Sequence, residues 1–325
     1  MSRQLRLRGP AKLNLGLAIV GRRADGYHLL DSVFAPIDLC DEIEIEVEPG
    51  GEGVRLECLP PLDPELPALL HQIPAGPDNL VHRAARLFCE RAGYRAGVTL
   101  RLAKAIPAGA GLGGGSSDAA IVLRGLAELS GLEPGAKALA RWALELGADV
   151  PFFLDPKPSR VRGIGEQIEP LDGVPELDVL LVNPGKTLAT ADVYRRADQL
   201  AGALTKHTPG STMPALFSKA WDSRDVGPAL RDLLINDLEP AARALCPSLV
   251  RIAERLDELG ATAVSMTGSG ATMFGVFPSE RAARAAADRW RSEEQRDAEK
   301  SRCWVRVSRV LAGRRSDPGK GTSGP

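Results

Sequence analysis

Alternating apolar and polar positions predict that the chain begins with β-strands. Leu5 and Leu7 alternate with polar residues, and residues 11–17 carry a leucine at every second position from Leu13 onward. Residues 42–47 alternate glutamate with isoleucine or valine, which is typical of an antiparallel strand with one buried and one solvated face. This alternation favours a solvated face for the three glutamates over a metal site. Residues 54–58 are expected to form a partner strand.

Helical periodicity follows further along the chain. Asp78 and Asn79 are expected to cap a helix that runs to Ala92. Further helices are expected after the glycine-rich stretch and over 134–146, 248–259 and 279–291, and further strands over 98–102, 179–182, 304–310 and, around a glycine turn, 263–277. Residues 60–77 and 201–225 show no sustained periodicity and are expected to be loops, and the polar tail 313–325 is expected to be disordered.

A glycine-rich stretch lies between a predicted strand and a predicted helix. Residues 109–115 contain five glycines and are followed by Ser116, Ser117 and Asp118, after which apolar residues recur at helical spacing. Glycine permits positive φ and close approach of the backbone to a ligand. The helix that follows directs free N–H groups and the positive end of its dipole at the loop. The stretch is therefore predicted to bind an anion, and the phosphates of a nucleotide are the usual occupant.

Better-known phosphate motifs fit this stretch poorly. Gly109-x-Gly111-x-x-Gly114 has the spacing of a dinucleotide fingerprint, but Pro107 precedes the loop and 133–146 is predicted to be helical where a second strand should end in an acidic residue. A P-loop would end in Gly-Lys-Ser/Thr, and protein kinases carry His-Arg-Asp and Asp-Phe-Gly, none of which is present. The other alternative, a turn without a ligand, carries the entropy cost of five glycines with no packing in return.

Composition limits the partners and the cellular location that are expected of the protein. The 325 residues suffice for two domains, and 41 basic residues balance 42 acidic ones, so no overall charge favours nucleic acid or an anionic membrane. No apolar run reaches the roughly 20 residues of a membrane helix, and no signal peptide is recognised. The cysteines are dispersed without metal-like spacing, which is typical of reduced thiols: Cys40, Cys58, Cys89, Cys246 and Cys303. A soluble, cytoplasmic protein without nucleic-acid or membrane partners is predicted, and its oligomeric state is left open.

Three polar residues stand out in apolar strands or segments. Lys12 and Asn14 lie two apart in a predicted strand, so they share one face, which on its own suits a solvated surface. Asp149 stands beside Val150 and two phenylalanines. A carboxylate in apolar surroundings is costly unless a cation or hydrogen-bond donors pair with it, although capping of a helix terminus is an alternative.

The sequence resembles the GHMP small-molecule kinases, the family of galactokinase, homoserine kinase, mevalonate kinase and phosphomevalonate kinase. Pro107 to Ser117 is similar to their phosphate loop, Ala11-Lys-Leu-Asn-Leu15 to their first motif and Gly268-Ser-Gly270 to their third. Gly147-Ala-Asp-Val-Pro151 resembles the motif that carries their base. The additional Gly-Gly before the serines and Arg23-Ala-Asp-Gly-Tyr-His28 are similar to the branch that acts on a cytidine diphosphate derivative of methylerythritol.

This resemblance implies a two-domain α/β (α+β) fold. Residues 1–170 would form a nucleotide-binding domain like the second domain of ribosomal protein S5, and 171–312 a ferredoxin-like domain, with the active site between them. The implied catalytic residues are Lys12 and Asp149, the latter taking the proton of the acceptor hydroxyl. The implied ATP-binding residues are Pro107, Ala108, Gly109, Ala110, Gly111, Leu112, Gly113, Gly114, Gly115, Ser116 and Ser117, with Asn79 near adenine. Lys104, just past the strand that leads to the loop, is a further candidate contact for the nucleotide.

For Asn79 a helix cap is an equal alternative, and for Lys104 a surface position is the alternative. The acceptor would be bound by an aromatic ring stacked on cytosine, a histidine that reads its edge, and further residues: Asn14, Tyr27, His28, Thr190 and Tyr194. The last two could equally be packing residues. Gly268, Ser269 and Gly270 would form a supporting turn, and the hydroxyl of Ser116 or Ser117 would bind Mg²⁺ beside ATP.

The reaction implied is ATP-dependent phosphorylation of the 2-hydroxyl of 4-diphosphocytidyl-2-C-methyl-D-erythritol, in the non-mevalonate isoprenoid pathway. One alternative is a sister kinase for mevalonate or homoserine, which is disfavoured because those acceptors have no base for Tyr27 and His28 to recognise. Another alternative is a catalytically silent regulator that binds ligand on the same fold. The presence of Lys12, Asp149 and the complete phosphate loop argues against it.

Overall fold

The structure, a computed structural model, describes residues 2–200, 226–296 and 303–312. The predicted loop 201–225 and the predicted tail 313–325 lie outside these residues. The strands are β1 (Arg3–Arg22), β2 (His28–Pro49), β3 (Val54–Cys58), β4 (Ala96–Ala103), β5 (Ser159–Gly163), β6 (Gln167–Pro170), β7 (Leu177–Asn183), β8 (Ala263–Met266), β9 (Met273–Phe277) and β10 (Trp304–Val310). The helices are α1 (Ala68–His71), α2 (Leu80–Ala92), α3 (Gly114–Ser130), α4 (Ala136–Leu146), α5 (Thr190–Leu200), α6 (Val226–Leu233), α7 (Glu239–Leu245), α8 (Ser248–Glu258) and α9 (Glu280–Arg296).

The first sheet is built around the long hairpin of β1 and β2. These strands pair antiparallel from Arg3 opposite Val47 to Arg22 opposite His28. β4 pairs with the C-terminal half of β2 and carries β3 in parallel, whereas β5 and β6 extend the N-terminal half of β2. Because alternate residues of β2 such as Ile45 are fully buried, α2 and α3 pack over this face and α4 packs against them.

The glutamates of β2 lie on the opposite face of this sheet. Arg101 of β4 donates hydrogen bonds to Glu44 at 2.6 Å and to Glu46 at 3.2 Å. Neither carboxylate is buried. The sequence prediction of a solvated glutamate face is therefore confirmed.

The second sheet has the strand order β10-β7-β9-β8, and every neighbouring pair in it is antiparallel. Helices α8 and α9 pack against it. This arrangement is ferredoxin-like, and the two sheets meet where Val310 of β10 pairs with Ile37 of β2. The predicted α/β fold is confirmed, while the boundary between 170 and 171 stays a prediction. No helix of the described ranges is long and apolar enough to cross a membrane.

The strand 11–17 differs from its predicted form. Alternation predicted one solvated face, but all seven residues are buried. The reason is that other segments cover the second face. The backbone N–H of Lys12 donates to the carbonyl of Leu112 at 3.0 Å, and that of Leu17 donates to the carbonyl of Ile235 at 2.9 Å. Lys12 and Asn14 are therefore interior residues, and the solvated-face alternative is wrong.

Candidate active site

One cavity collects most of the residues that the sequence predicted to act together. Its volume is about 450 Å³, and it lies between the glycine-rich loop and the glycine turn that joins β8 to β9. Two larger cavities, of about 520 and 590 Å³, contain none of the predicted site residues. This cavity is the candidate site because the glycine-rich loop and the Lys12–Asp149 pair both lie on its wall. Predicted residues on its wall include Lys12, Asn14, Gly111, Ser116, Asp149, Thr190, Tyr194 and Ser269.

The glycine-rich loop ends at the N-terminus of α3, as the sequence predicted. Gly109, Gly111 and Gly113 have φ values of 62°, 80° and 73°, a conformation that other residues adopt only with strain. Helix α3 begins at Gly114, so the N–H groups of its first turn are available to an anion. Gly114, Gly115 and Ser116 line the cavity. The local geometry is that of a phosphate site.

Hydrogen bonds between side chains and backbone hold the loop against the turn between β8 and β9. The hydroxyl of Thr267 donates to the carbonyl of Gly111 at 3.1 Å, and the backbone N–H of Asn14 donates to the Thr267 hydroxyl at 3.1 Å. Asn236, a buried residue after α6, donates through its side-chain amide to the carbonyls of Met266 and Gly268 at 2.7 and 2.9 Å. The predicted supporting turn at 268–270 thus lies beside the phosphate loop. Sequence reasoning did not single out Thr267, which directly precedes the recognised Gly268-Ser-Gly270 turn, and it assigned the stretch 233–240, which contains Asn236, to structure.

Lys12 is the buried cation of the cavity. Its side chain is 3% exposed, and Nζ lies 2.5 Å from Oδ1 of Asn14, 3.9 Å from Oδ2 of Asp149 and 4.8 Å from the ring centre of Phe34. Burial lowers the pKa of Lys12 below its usual value, and the charge of Asp149 partly opposes this shift. A cation that is poorly solvated interacts strongly with any negative charge brought beside it.

This burial predicts a pH dependence of stability. Because the folded pKa of Lys12 is depressed, the unfolded chain binds more protons between that value and the usual 10.5, so stability rises with pH across this window and is lost as pH falls through the folded pKa. We expect denaturant titrations to show the unfolding free energy of the wild type rising towards pH 10.5 relative to Lys12→Met, which has no such group. Parallel pH curves for the two proteins would contradict this expectation.

Asp149 lies at the start of the 3₁₀-helix Val150–Leu154. Its side chain makes no capping hydrogen bond there, which excludes the capping alternative. The side chain is 35% exposed, and the carboxylate faces the cavity with Lys12 as its cation. It is therefore a carboxylate that an incoming hydroxyl can reach.

The side chain of Asn14 makes hydrogen bonds to other residues of the protein. Its Oδ1 accepts from Lys12 and, at 2.8 Å, from the backbone N–H of Gly268, and its Nδ2 donates to the hydroxyl of Ser32 at 2.9 Å. The side chain is nearly inaccessible, although it reaches the cavity wall. A contact between Asn14 and the acceptor stays a prediction, and the observed contacts show that Asn14 orients Lys12 and joins β1 to the glycine turn.

The predicted acceptor residues differ in their position relative to the cavity. Tyr194 of α5 lines it, and the ring of His28 stacks on Tyr194 with centres 4.8 Å apart at 26°. The hydroxyls of Thr190 and Ser269 lie 3.0 Å apart. Tyr27 is 63% exposed, and neither Tyr27 nor His28 belongs to the cavity wall itself. The structure thus brings Thr190 and Tyr194 to the phosphate loop and leaves Tyr27 at the outer end of the β1–β2 hairpin.

Two residues that were predicted to contact the nucleotide, Asn79 and Lys104, bind other groups of the protein instead. Oδ1 of Asn79 accepts from the backbone N–H of Val81 at 2.9 Å, and its Nδ2 donates to the carbonyl of Pro74 at 2.7 Å. Asn79 is therefore the N-cap of α2, which was the alternative to an adenine contact. Lys104 is neither on the surface nor at the cavity, because its ammonium group is buried between Asp41 and Asp118.

The two serines after the glycines differ in accessibility. Ser116 reaches the cavity wall, whereas Ser117 is fully buried and does not. An ideal Cβ on Gly9 of β1 would lie 2.9 Å from Oγ of Ser117, so this side chain is directed at the first sheet. Direct contact of the Ser117 side chain with ATP or Mg²⁺ is thus not supported by the structure, and Ser116 is the accessible hydroxyl.

A phosphate loop at a helix N-terminus, facing a buried lysine and an accessible aspartate between two α/β halves, defines a small-molecule kinase. Two family models match the chain, "GHMP kinases N terminal domain" over residues 79–155 and "GHMP kinases C terminal" over 213–295. The 4-diphosphocytidyl-2-C-methyl-D-erythritol kinase of Geobacter sp. strain M21 is 40% identical over 302 residues, which is 93% of this chain and 97% of that protein. The enzyme of the same name from Granulibacter bethesdensis is 42% identical over 283 residues, covering 86% and 87% of the two chains.

Among solved structures, a 4-(cytidine 5'-diphospho)-2C-methyl-D-erythritol kinase is 35% identical and superposes with a TM-score of 0.74, covering 95% of this chain and 100% of that one. The chain therefore belongs to the GHMP kinases and, within them, to the family of the 4-diphosphocytidyl-2-C-methyl-D-erythritol kinases.

Proposed function

We propose that the protein transfers the terminal phosphoryl group of ATP to the 2-hydroxyl of 4-diphosphocytidyl-2-C-methyl-D-erythritol, giving the 2-phosphate and ADP. The observation that carries this proposal is the joint placement, on one cavity, of the phosphate loop, the Lys12–Asp149 pair and the aromatic ring of Tyr194. The names of the relatives at about 40% identity support the same acceptor.

In this mechanism Asp149 accepts the proton of the 2-hydroxyl of the acceptor. The oxygen of that hydroxyl forms a bond to the terminal phosphorus of ATP. The bond from that phosphorus to the bridging oxygen breaks, and ADP leaves with the electron pair. Phosphoryl transfer depends mainly on positioning and on neutralising charge. The N–H groups of the loop and of α3 would hold the phosphates, and Lys12 would stabilise the charge on the transferred group.

Mg²⁺ fits this site as a companion of ATP. The described residues contain no group of three metal-ligating side chains, and Mg²⁺ in kinases is usually held by one or two protein oxygens together with phosphates and waters. The hydroxyl of Ser116, on the cavity wall at the start of α3, would hold the ion beside ATP. The ion would supply further neutralisation of the phosphate charges.

The acceptor side would recognise the cytidine group. Stacking of a base on an aromatic side chain contributes about 1–3 kcal/mol, and Tyr194 on the cavity wall, with the ring of His28 stacked on it, is the aromatic group that would receive the base. Acceptors without a base cannot use this contact. Residues 1–170 would then carry the nucleotide, and 171–312 would contribute Thr190, Tyr194 and the glycine turn.

The experiment that tests the proposal measures ADP release from ATP and Mg²⁺ with four additions: 4-diphosphocytidyl-2-C-methyl-D-erythritol, mevalonate, homoserine and no acceptor. We expect turnover only with the cytidine compound, because only this acceptor offers a base to the aromatic side chains. Turnover with another acceptor would refute the acceptor assignment but would still support an ATP-dependent kinase. ATP binding without turnover on any acceptor would instead favour a regulator.

A further inference from the structure

Three buried charged side chains lie behind the phosphate loop and take no part in the mechanism above. Nζ of Lys104 donates to Oδ2 of Asp118 at 2.8 Å and also donates to Asp41. The side chains of Lys104, Asp41 and Asp118 are 3%, 0% and 2% exposed, and none of them lines the cavity. These residues, the Lys104 cluster, therefore cannot touch a bound nucleotide with their side chains.

The Lys104 cluster is joined to the chain on both sides of the loop. On the near side, Oδ1 of Asp41 accepts from the backbone N–H groups of Ala105 at 2.6 Å and Ile106 at 2.9 Å, and Pro107 follows directly. On the far side, Asp118 is the fifth residue of α3, the helix that begins at Gly114. The ends of the phosphate loop are thus linked through a single ammonium group.

The same ammonium group lies directly beneath the start of α3. An ideal Cβ on Gly114 would approach Nζ of Lys104 to 3.1 Å. A glycine at this position lets the helix N-terminus sit close to the cluster, so a shift of Lys104 would displace the N–H groups that bind the anion.

Burial removes the charges of the cluster from water, so added stability is not the expected role of these residues. Burial alone would lower the pKa of Lys104, but the charges of Asp118 and Asp41 outweigh it and raise the pKa. Burial, assisted by Asp41, raises the pKa of Asp118 to about 7 against the opposing effect of Lys104. Apolar residues of similar volume often stabilise an interior as well as buried ions do, whereas ions fix one geometry.

We propose that Lys104, Asp41 and Asp118 are positioning residues that hold the two ends of the phosphate loop in register, so that the loop and α3 direct their N–H groups at the phosphates of the nucleotide. This inference rests on the proposed function, since it takes a nucleotide to be the ligand of the loop. It predicts that the cluster affects binding of the phosphates and leaves binding of the nucleoside unchanged.

The test compares two substitutions at Asp118. Asp118→Ala removes the oxygen that accepts from Lys104 and leaves the Lys104–Asp41 pair intact, so the first turn of α3 loses its link. Asp118→Asn retains an acceptor oxygen of nearly the same geometry. Dissociation constants for ADP and for adenosine are measured by titration calorimetry. We expect Asp118→Ala to weaken binding of ADP by about tenfold, because the nucleotide must then order the start of α3, which one charge-assisted hydrogen bond held in place before. Binding of adenosine should be unchanged, and Asp118→Asn should stay within about twofold of the wild type.

Asp31→Asn is the matched control. Asp31 is a largely buried carboxylate of β2 that binds Arg160 of β5 at 2.8 and 2.7 Å, and it takes no part in the cavity wall. Its loss should lower thermal stability without changing the ratio of the two dissociation constants. A wild-type ratio in Asp118→Ala, or equal weakening of ADP and adenosine, would overturn the inference alone. A wild-type protein that binds neither ligand would refute the proposed function and this inference with it.

Discussion

Replacing Asp149 with asparagine is expected to lower kcat by about 10²- to 10⁴-fold, the usual contribution of a general base. The substitution keeps the shape of the side chain and removes its ability to accept a proton. KM for ATP should stay within about twofold, because the phosphate loop and α3 are untouched and general-base catalysis acts on the transition state rather than on ground-state binding. Steady-state ADP release with both substrates varied separates the two constants.

The matched control for this substitution is Asp155→Asn. Asp155 follows the same 3₁₀-helix, and its carboxylate is held by Lys157 at 2.7 Å on the surface, with 79% of the side chain exposed. It should turn over at the wild-type rate. Wild-type-like kcat in Asp149→Asn would remove Asp149 from the mechanism, and an increase in KM for ATP without a fall in kcat would give it a binding role instead.

The elements that sequence could predict are those set by local pattern. The alternation of 42–47, the helix ending at Ala92 and the glycine-rich loop all follow from the chemistry of neighbouring residues, and the structure shows each of them. The glycine turn at 268–270 was recognised by motif, but its position beside Gly111 depends on a contact across more than 150 residues. No local pattern encodes a contact of that separation.

Burial of polar residues was the main point at which local pattern failed. Lys12 and Lys104 are both predicted to be solvated by alternation or by residue type, and both are buried because partners distant in sequence surround them. For Lys12 the partners are Asp149 and Asn14, and for Lys104 they are Asp41 and Asp118. The resemblance to known kinases corrected the prediction for Lys12. For Lys104 both the predicted contact with the nucleotide and the surface alternative differ from the structure, because no local pattern shows that Asp41 and Asp118 enclose it. A cytoplasmic location and the absence of nucleic-acid and membrane partners stay predictions.

Two kinds of lysine thus stand on the two sides of one loop. Lys12 has one carboxylate at 3.9 Å and faces a cavity, so it retains capacity to interact with the charge of a substrate. Lys104 is enclosed by two carboxylates and does not reach that cavity. The first arrangement suits charge that appears during a reaction, and the second suits fixed geometry.

Gly111→Ala is the second substitution for which a large effect is expected. The added Cβ would lie 2.2 Å from the carbonyl oxygen of Thr267, and Gly111 has a φ of 80°. The carbonyl is a backbone group and Cβ is bonded directly to the backbone, so neither can rotate away, and the loop and the glycine turn must separate. That movement would disturb the Thr267 hydroxyl that joins Gly111 to Asn14 and, through Asn14, Lys12. Misplacement of reacting groups by about 1 Å can cost about 10²-fold in rate, and we expect a fall of this size in kcat/KM for ATP.

The strain of positive φ must be separated from this steric effect, and Gly131→Ala does so. Gly131 ends α3 with a φ of 71°, and nothing lies within 4 Å of its ideal Cβ. Alanine there should lower the unfolding free energy by about 1 kcal/mol, the usual cost of the left-handed conformation, with kcat/KM for ATP unchanged. If the two variants lost activity equally, backbone strain alone would account for the result. If only Gly111→Ala loses activity, close packing of the loop against the Thr267 turn is what places the phosphates opposite Lys12 and Asp149.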